Sequence, residues 1–141
     1  MRAAIYRGKG DLEVAETAVP QIGPSEVRVA VEYCGVCGTD LHDVLDGWGV
    51  PGSIGGHEWS GRVVEVGSDV LLEIGTLVVG HPGNACGRCK ACLASRPNLC
   101  EDRPTAGVEQ PHGAFADYVV VDSDQAVTVT AGVEARAAAY A

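Results

Sequence analysis

The sequence predicts a mainly β fold, a barrel or sandwich with a few short helices, and three observations carry that prediction. Short runs rich in Val, Ile and Tyr are separated by Gly, Pro and Asp, without the long helical segments that alternate with strands in a parallel α/β sheet. Glycine supplies 19 of 141 residues and aromatics only 5%, a composition suited to tight turns around a core of Val, Ile, Leu and Ala. The segment Glu26 to Tyr33 alternates polar and apolar residues, which is the period of a strand with one face in a core and one in water.

The expected strands are Arg2 to Arg7, Leu12 to Ala15, Glu26 to Tyr33, Gly61 to Val66, Thr76 to Gly80, Phe115 to Val121 and Ala126 to Val129. Glu26 to Tyr33 is expected to pair antiparallel and to be half exposed. Thr39 to Trp48 carries Leu41, Val44 and Leu45 at helical spacing behind Thr39, a residue type that caps helix N-termini, so a short helix is expected there. The Ala-rich run Val133 to Ala141 reads as the beginning of another helix, cut off by the chain end. Gly47-Trp48-Gly49-Val50-Pro51-Gly52 matches the dinucleotide fingerprint G-x-G-x-x-G, but it follows a helical pattern rather than a strand, and Pro51 stands where a helix would be entered. It reads as a glycine-rich loop. There is no repeat, low-complexity tract or linker, so residues 1–141 read as one domain.

Charge excludes one class of partner. Ten basic against 19 acidic residues leave a net charge of −9, with no Lys/Arg-dense run, whereas nonspecific nucleic-acid affinity comes from neutralising phosphates. No stretch approaches the roughly 20 apolar residues of a membrane helix, and Met1 to Glu16 is charged throughout. The expectation is a cytoplasmic protein that binds neither nucleic acid nor membrane.

Six cysteines then point to metal or redox chemistry rather than to a secreted disulfide framework. Cys86, Cys89, Cys92 and Cys100 follow C-x2-C-x2-C-x7-C in a loop punctuated by Gly87, Pro97 and Asn98. Four thiolates from one short segment can close a tetrahedron around zinc and leave no position for substrate, which makes the lobe at about residues 84–102 a structural site. An iron–sulfur cluster uses the same ligand type, and overlapping C-x-x-C pairs also occur in thiol redox motifs.

A second constellation is mixed. Cys37, in Cys34-Gly35-Val36-Cys37-Gly38-Thr39-Asp40-Leu41-His42, and His57, in Gly55-Gly56-His57-Glu58, offer the N, S and O donors that a catalytic zinc takes while keeping one position open. Read by chemistry alone, Cys34 and Cys37 could equally form a redox pair or a second metal clip.

These two runs, together with Gly61, Val66-Gly67, the four-cysteine lobe and Gly113-Ala114-Phe115-Ala116-Asp117-Tyr118 in this order, resemble the zinc-dependent medium-chain alcohol dehydrogenases over nearly the whole chain. The resemblance implies their N-terminal GroES-like β-barrel catalytic domain, truncated at Ala141, with a cofactor-binding Rossmann domain following. It implies that Cys37, His57 and Glu58 belong to a catalytic zinc, that Asp40 supports the His57 ring, and that Thr39 and His42 form a proton relay in contact with the cofactor. Trp48 matches a position lining the substrate pocket, and Cys34 matches no ligand position. The implied reaction is hydride transfer between an alcohol or polyol and NAD or NADP, with alcohol or aldehyde as the small-molecule substrate and a homo-oligomer as the complete enzyme. A third strong zinc ligand, Cys or carboxylate, is expected beyond Ala141. His81, beside the lobe, reads either as a residue facing the substrate side or, the reading preferred, as an ordinary loop histidine. A non-catalytic zinc-binding module and a thiol redox protein using Cys34 and Cys37 are the alternatives.

Overall fold

Alternation of Val with polar residues lets strands pair while burying one face, and the central strands do so. The computed structural model describes residues 1–81, 85–102 and 113–140. Its strands are β1 (Arg2–Gly8), β2 (Asp11–Glu16), β3 (Glu26–Cys34), β4 (Trp59–Val66), β5 (Leu77–Gly80), β6 (Tyr118–Asp122) and β7 (Ala126–Thr128). β3 to β7 form an antiparallel sheet in the spatial order β6-β3-β4-β5-β7. Two register shifts between β3 and β4, at Arg28/Val29 and at Val31/Tyr33, add twist to the centre of this sheet. β1 and β2 make a separate hairpin, tied back by the bridges Ala3–Ala116 and Ile5–Ile54.

The core is built from valine. Val27, Val29, Val63, Val78 and Val119 are buried and pack with Trp59, Val121, Ala114 and Ala126. β-branched side chains lose little freedom on a pleated surface, which suits Val to every one of these strands. Leucine, expected in this core, is absent from the buried residues described: Leu71 is 99% exposed, and Leu12, Leu41, Leu45, Leu93 and Leu99 are exposed as well. Leu12 lies on the exposed β2 and Leu77 on β5, Leu72 packs against the edge of the core only partly buried, and Leu41, Leu45, Leu93 and Leu99 fall in short helical turns.

Three short helices decorate the sheet: α1 (Gly38–Leu41), α2 (Lys90–Leu93) and α3 (Ala135–Ala138). α1 continues as a π-helical turn over His42–Asp46 and ends at Gly47, whose φ of 85° stops it in the left-handed region. The expected helix is therefore present, but Thr39 lies inside it instead of capping it. Cys37 is the N-cap, because the Asp40 carboxylate three residues on accepts the Cys37 N–H. Phe115 to Asp117 precede β6 rather than belonging to it. The G-x-G-x-x-G run falls in the loop that follows Asp46 and opens no helix. Asn84, the expected start of the lobe, and Ala141, the expected last residue of the final helix, lie outside the described residues. Among the described residues no helix is long and apolar enough to cross a membrane.

The last register pair between β3 and β4 is Cys34 opposite Trp59. Cys37 leaves this ladder on one strand, and His57 and Glu58 enter it on the other. One end of the β3–β4 pair thus carries all three mixed donors. If the valine core sets stability, Val29→Ala should cost about 2 kcal/mol in urea denaturation, the loss of two buried methyl groups plus a small cavity. Val64→Ala, at a position 40% exposed on the neighbouring strand, should cost less than about 0.5 kcal/mol.

Candidate active site and metal centres

Two groups of metal-type donors are assembled among the described residues. The first comprises Cys86, Cys89, Cys92 and Cys100, whose sulfurs all lie within 4.8 Å of one another. The sulfur separations are 3.5 Å for Cys89–Cys92 and 4.0 Å for both Cys86–Cys92 and Cys89–Cys100. A regular tetrahedron with ~2.3 Å metal–sulfur bonds has edges of about 3.8 Å, so this spacing fits a single zinc. Backbone N–H groups point inward: Cys89 N–H donates to Cys86 Sγ at 3.2 Å and Cys86 N–H to Cys100 Sγ at 3.3 Å. Such donors stabilise thiolate charge. The N–H groups of Cys92 and Glu101 bring the Cys89 thiol down to about 6, while withdrawal from water and the Cys89 hydrogen bond push Cys92 up to about 12. In a cluster this tight the sulfurs do not ionise independently. α2 begins at Cys89 and the Pro97–Leu99 turn precedes Cys100, so two short turns aim the four sulfurs inward.

The second group is Cys37, His57 and Glu58, with one donor atom of each within 4.8 Å of the others. Unlike the sulfur lobe it is mixed in type and partly open, since His57 is exposed while Cys37 and Glu58 are half-buried. Asp40 holds it together. This carboxylate is only 7% exposed; Oδ2 accepts the Cys37 N–H at 2.8 Å, and Oδ1 accepts the Gly56 N–H at 3.3 Å and lies 3.7 Å from His57 Nδ1. Gly56 sits at φ +91°, and a Cβ there would come within 2.8 Å of Cys34 Sγ and of Phe115. The turn that delivers His57 therefore depends on glycine at this position.

Thr39 and His42 lie just downstream on α1 and its continuation. Cys37 Sγ and Thr39 Oγ1 are 3.8 Å apart. His42 Nδ1 meets Asp46 Oδ2 at 2.6 Å, and its ring stacks on Trp48 with centroids 4.8 Å apart. Trp48 is 69% exposed and is spent on this stack. A cavity of about 200 Å³ is lined by His57 and Glu58 together with Trp59, Val79, Gly80, Ala138 and Ala139, and not by Trp48. α3 closes it: Ser60 Oγ donates to Ala135 C=O at 2.6 Å, and Ala138 and Ala139 are buried.

Cys34 stays outside both groups. It is half-buried, and burial, with the nearby charges of Asp40 and Glu58, pushes its thiol up to about 12. Sequence reasoning missed Asp46, Gly35, Trp59 and the α3 residues. Asp46 had a signal, since it stands four residues after His42 on one helical face; the others come from long-range packing and leave none.

The chain matches the alcohol dehydrogenase GroES-like domain over residues 23–131. It is 42% identical over 122 residues to L-threonine 3-dehydrogenase of Cutibacterium acnes, a match covering 82% of this chain and 35% of that protein. Galactitol-1-phosphate dehydrogenase from Escherichia coli superposes with a TM-score of 0.92 at 29% identity, covering 99% of this chain and 41% of that one. A Sinorhizobium meliloti 1021 protein, described as a zinc-binding dehydrogenase and bound to NADP, superposes with a TM-score of 0.87 at 35% identity, covering 99% and 41%. The chain thus spans less than half the length of these relatives.

The environment of Cys34 gives a direct check by alkylation. A thiol titrating near 12 is almost wholly protonated at pH 8, and only the thiolate is nucleophilic. In the folded chain Cys34 should resist iodoacetamide at pH 8 and become reactive on unfolding in denaturant; peptide mapping of the labelled protein reads this out. Labelling of folded Cys34 as fast as that of the unfolded chain would contradict the environment described.

Proposed function

The chain belongs to the family of alcohol dehydrogenase GroES-like domains, and we propose that it is the catalytic-domain portion of a zinc-dependent dehydrogenase. On this reading residues 1–141 are that domain, its cofactor-binding domain lies downstream, and hydride passes between an alcohol or polyol and NAD or NADP. The observation that carries the reading is the pairing, in one small domain, of a closed four-sulfur group with an open Cys37–His57–Glu58 group braced by a buried carboxylate. Closed sets hold structural metals, whereas mixed sets with an open side serve chemistry. The relatives' threonine and galactitol-1-phosphate activities support a hydroxyl-bearing small molecule as substrate.

Cys37, His57 and Glu58 would hold a zinc ion, and a structural zinc would take Cys86, Cys89, Cys92 and Cys100. When bound at the first group, zinc supplies Lewis-acid polarisation of a substrate oxygen, and hydride transfer is the chemistry of the nicotinamide. The chain's own residues supply placement. Asp40 faces His57 Nδ1, which leaves Nε2 for the metal and makes the ring a better donor. Thr39 Oγ1 lies beside Cys37 Sγ, where it would accept the substrate's proton, and His42 would pass that proton on to solvent. Asp46 and Trp48 hold the His42 ring, and a substrate-lining role for Trp48 rests on the family resemblance, since it does not line the cavity beside His57 and Glu58.

The net charge of −9 argues against nucleic acid as a partner. The complete enzyme is read as a cytoplasmic homo-oligomer. A redox role for Cys34 and Cys37 loses support, because a reactive C-x-x-C thiol needs a lowered pKa and Cys34 has a raised one.

Metal analysis with single substitutions tests the reading. Purified protein should hold one tight zinc, lost on replacing any of Cys86, Cys89, Cys92 or Cys100 by Ser, and should bind a second, weaker zinc on titration. Cys37→Ala or His57→Ala should abolish the second ion and spare the first; loss of both from either variant would overturn the division of ligands. Residues 1–141 alone should show no alcohol oxidation by NADH absorbance, because misplacing the reacting groups by even ~1 Å can cost ~100-fold and on this reading the nicotinamide is held by the downstream domain. Joining the downstream domain should restore turnover. A full-length protein inactive on all primary, secondary and polyol alcohols tried would favour a non-catalytic zinc module.

A further inference from the structure

Gly35 carries no polar group and matches no ligand, yet it is buried where the ladder of β3 and β4 opens into the Cys37 loop. Its N–H donates to Glu58 C=O at 2.7 Å, one step beyond the Cys34–Trp59 pair. Gly35 and Glu58 are therefore cross-strand neighbours, and side chains at such positions project together on one face of the ladder. A Cβ on Gly35 would lie 2.7 Å from Glu58 Oε2, 3.3 Å from Glu58 Cβ and 3.2 Å from Tyr140 Cε1. The first distance is shorter than real Cβ atoms tolerate, so the Glu58 carboxylate occupies the space that any other residue at position 35 would fill.

Backbone conformation does not demand glycine here. Gly35 is not among the glycines with positive φ, whereas Gly56 is. What the position requires is the absence of volume beside one carboxylate, between the strand end and the Tyr140 ring.

We propose that Gly35 is a positioning residue for the Cys37–His57–Glu58 group: its missing side chain is the seat of the Glu58 carboxylate, and filling that seat weakens this group's hold on a transition-metal ion. The inference rests on reading the group as a metal site. With a methyl at position 35 the Glu58 carboxylate, the far end of a flexible side chain, must shift from the place where one of its oxygens lies within 4.8 Å of the Cys37 and His57 donors. The four sulfurs of the lobe are built on a different segment and keep their geometry.

Zinc titration against a chromophoric chelator, repeated with cobalt(II) to follow thiolate ligation by its visible absorption, tests this on the chain as it stands. Gly35→Ala should bind the second ion at least about tenfold more weakly, the lower end of the effect of losing a residue that supports a ligand. The lobe's ion should be retained unchanged. In the Glu58→Ala background, adding Gly35→Ala should change binding of the second ion less than about twofold, because contacting residues that act through one group are non-additive. An unchanged second ion in Gly35→Ala, or a full tenfold loss on adding it to Glu58→Ala, overturns the proposal alone. A parent chain that takes up one ion only overturns the metal reading and the proposal with it. If Gly35→Ala does not fold, folding of the Gly35→Ala/Glu58→Ala double variant supports the conflict, and failure of both overturns it.

Discussion

A single buried carboxylate joins the parts of the mixed donor group. Asp40 reaches the Cys37 N–H with one oxygen and the Gly56 N–H and His57 ring with the other, so the start of α1 and the turn before β4 are fixed relative to each other through one side chain. A carboxylate withdrawn from water is costly unless donors surround it, and here the donors are the backbone groups that position the candidate ligands. The interaction that satisfies Asp40 is thus the same interaction that builds the site. Cutting it would leave a buried charge unpaired and two loops untied, a larger loss than that of one hydrogen bond.

This arrangement depends in turn on the strand pair beneath it. Val27, Val29 and Val63 anchor β3 and β4 in the core, and the ladder ends at Cys34 opposite Trp59. Residues just past that pair inherit its register, and the Gly35 N–H to Glu58 C=O hydrogen bond at 2.7 Å extends it by one step, so Glu58 and Gly35 face each other. Gly56 completes the geometry by a different route, since its φ of +91° turns the chain sharply before His57. Two glycines in one site therefore differ in what they require: Gly56 is needed for its φ and for its close packing on Cys34 and Phe115, Gly35 for missing volume alone.

Much of the fold was legible because its signals are local. Period-two alternation marked Glu26 to Tyr33, and the turn residues around it marked most of the remaining strands to within a residue or two. The donor groups were legible from residue type and spacing, and the resemblance ordered them. Two local expectations failed for tertiary reasons. Thr39 is a good cap in isolation, but Asp40 accepts the Cys37 N–H and moves the helix start two residues earlier. The leucines are apolar enough for a core, but most of them fall on the outlying hairpin, turns and short helices, and only Leu72 packs against the valine cluster, partly buried. Cross-strand seating such as that of Glu58 on Gly35 joins residues 23 positions apart in the chain, and no periodicity records it. The stack of His42 on Trp48 is intermediate, since both residues sit near one helix end but only the structure brings the rings together.

The two donor groups differ most in what orders them. Between residues 85 and 102 only Ala91 is buried among the described side chains, and Leu93 and Leu99 are 75% and 55% exposed. Two short turns with so little apolar burial cannot offset the conformational entropy of nearly twenty residues, at about 1–2 kcal/mol each for the backbone. Order in that segment must come from the convergence of four sulfurs, and metal–thiolate bonding, with apparent energies of ~10 kcal/mol or more, is of the size required. The mixed group is the reverse case. Its loops are held by Asp40, by the β3–β4 ladder and by α3, where Ser60 bonds Ala135 and Ala138 is buried, so its geometry exists ahead of any ligand. On the proposed reading, a frame held by protein contacts alone could leave one side of a bound metal open, as chemistry at the site would require.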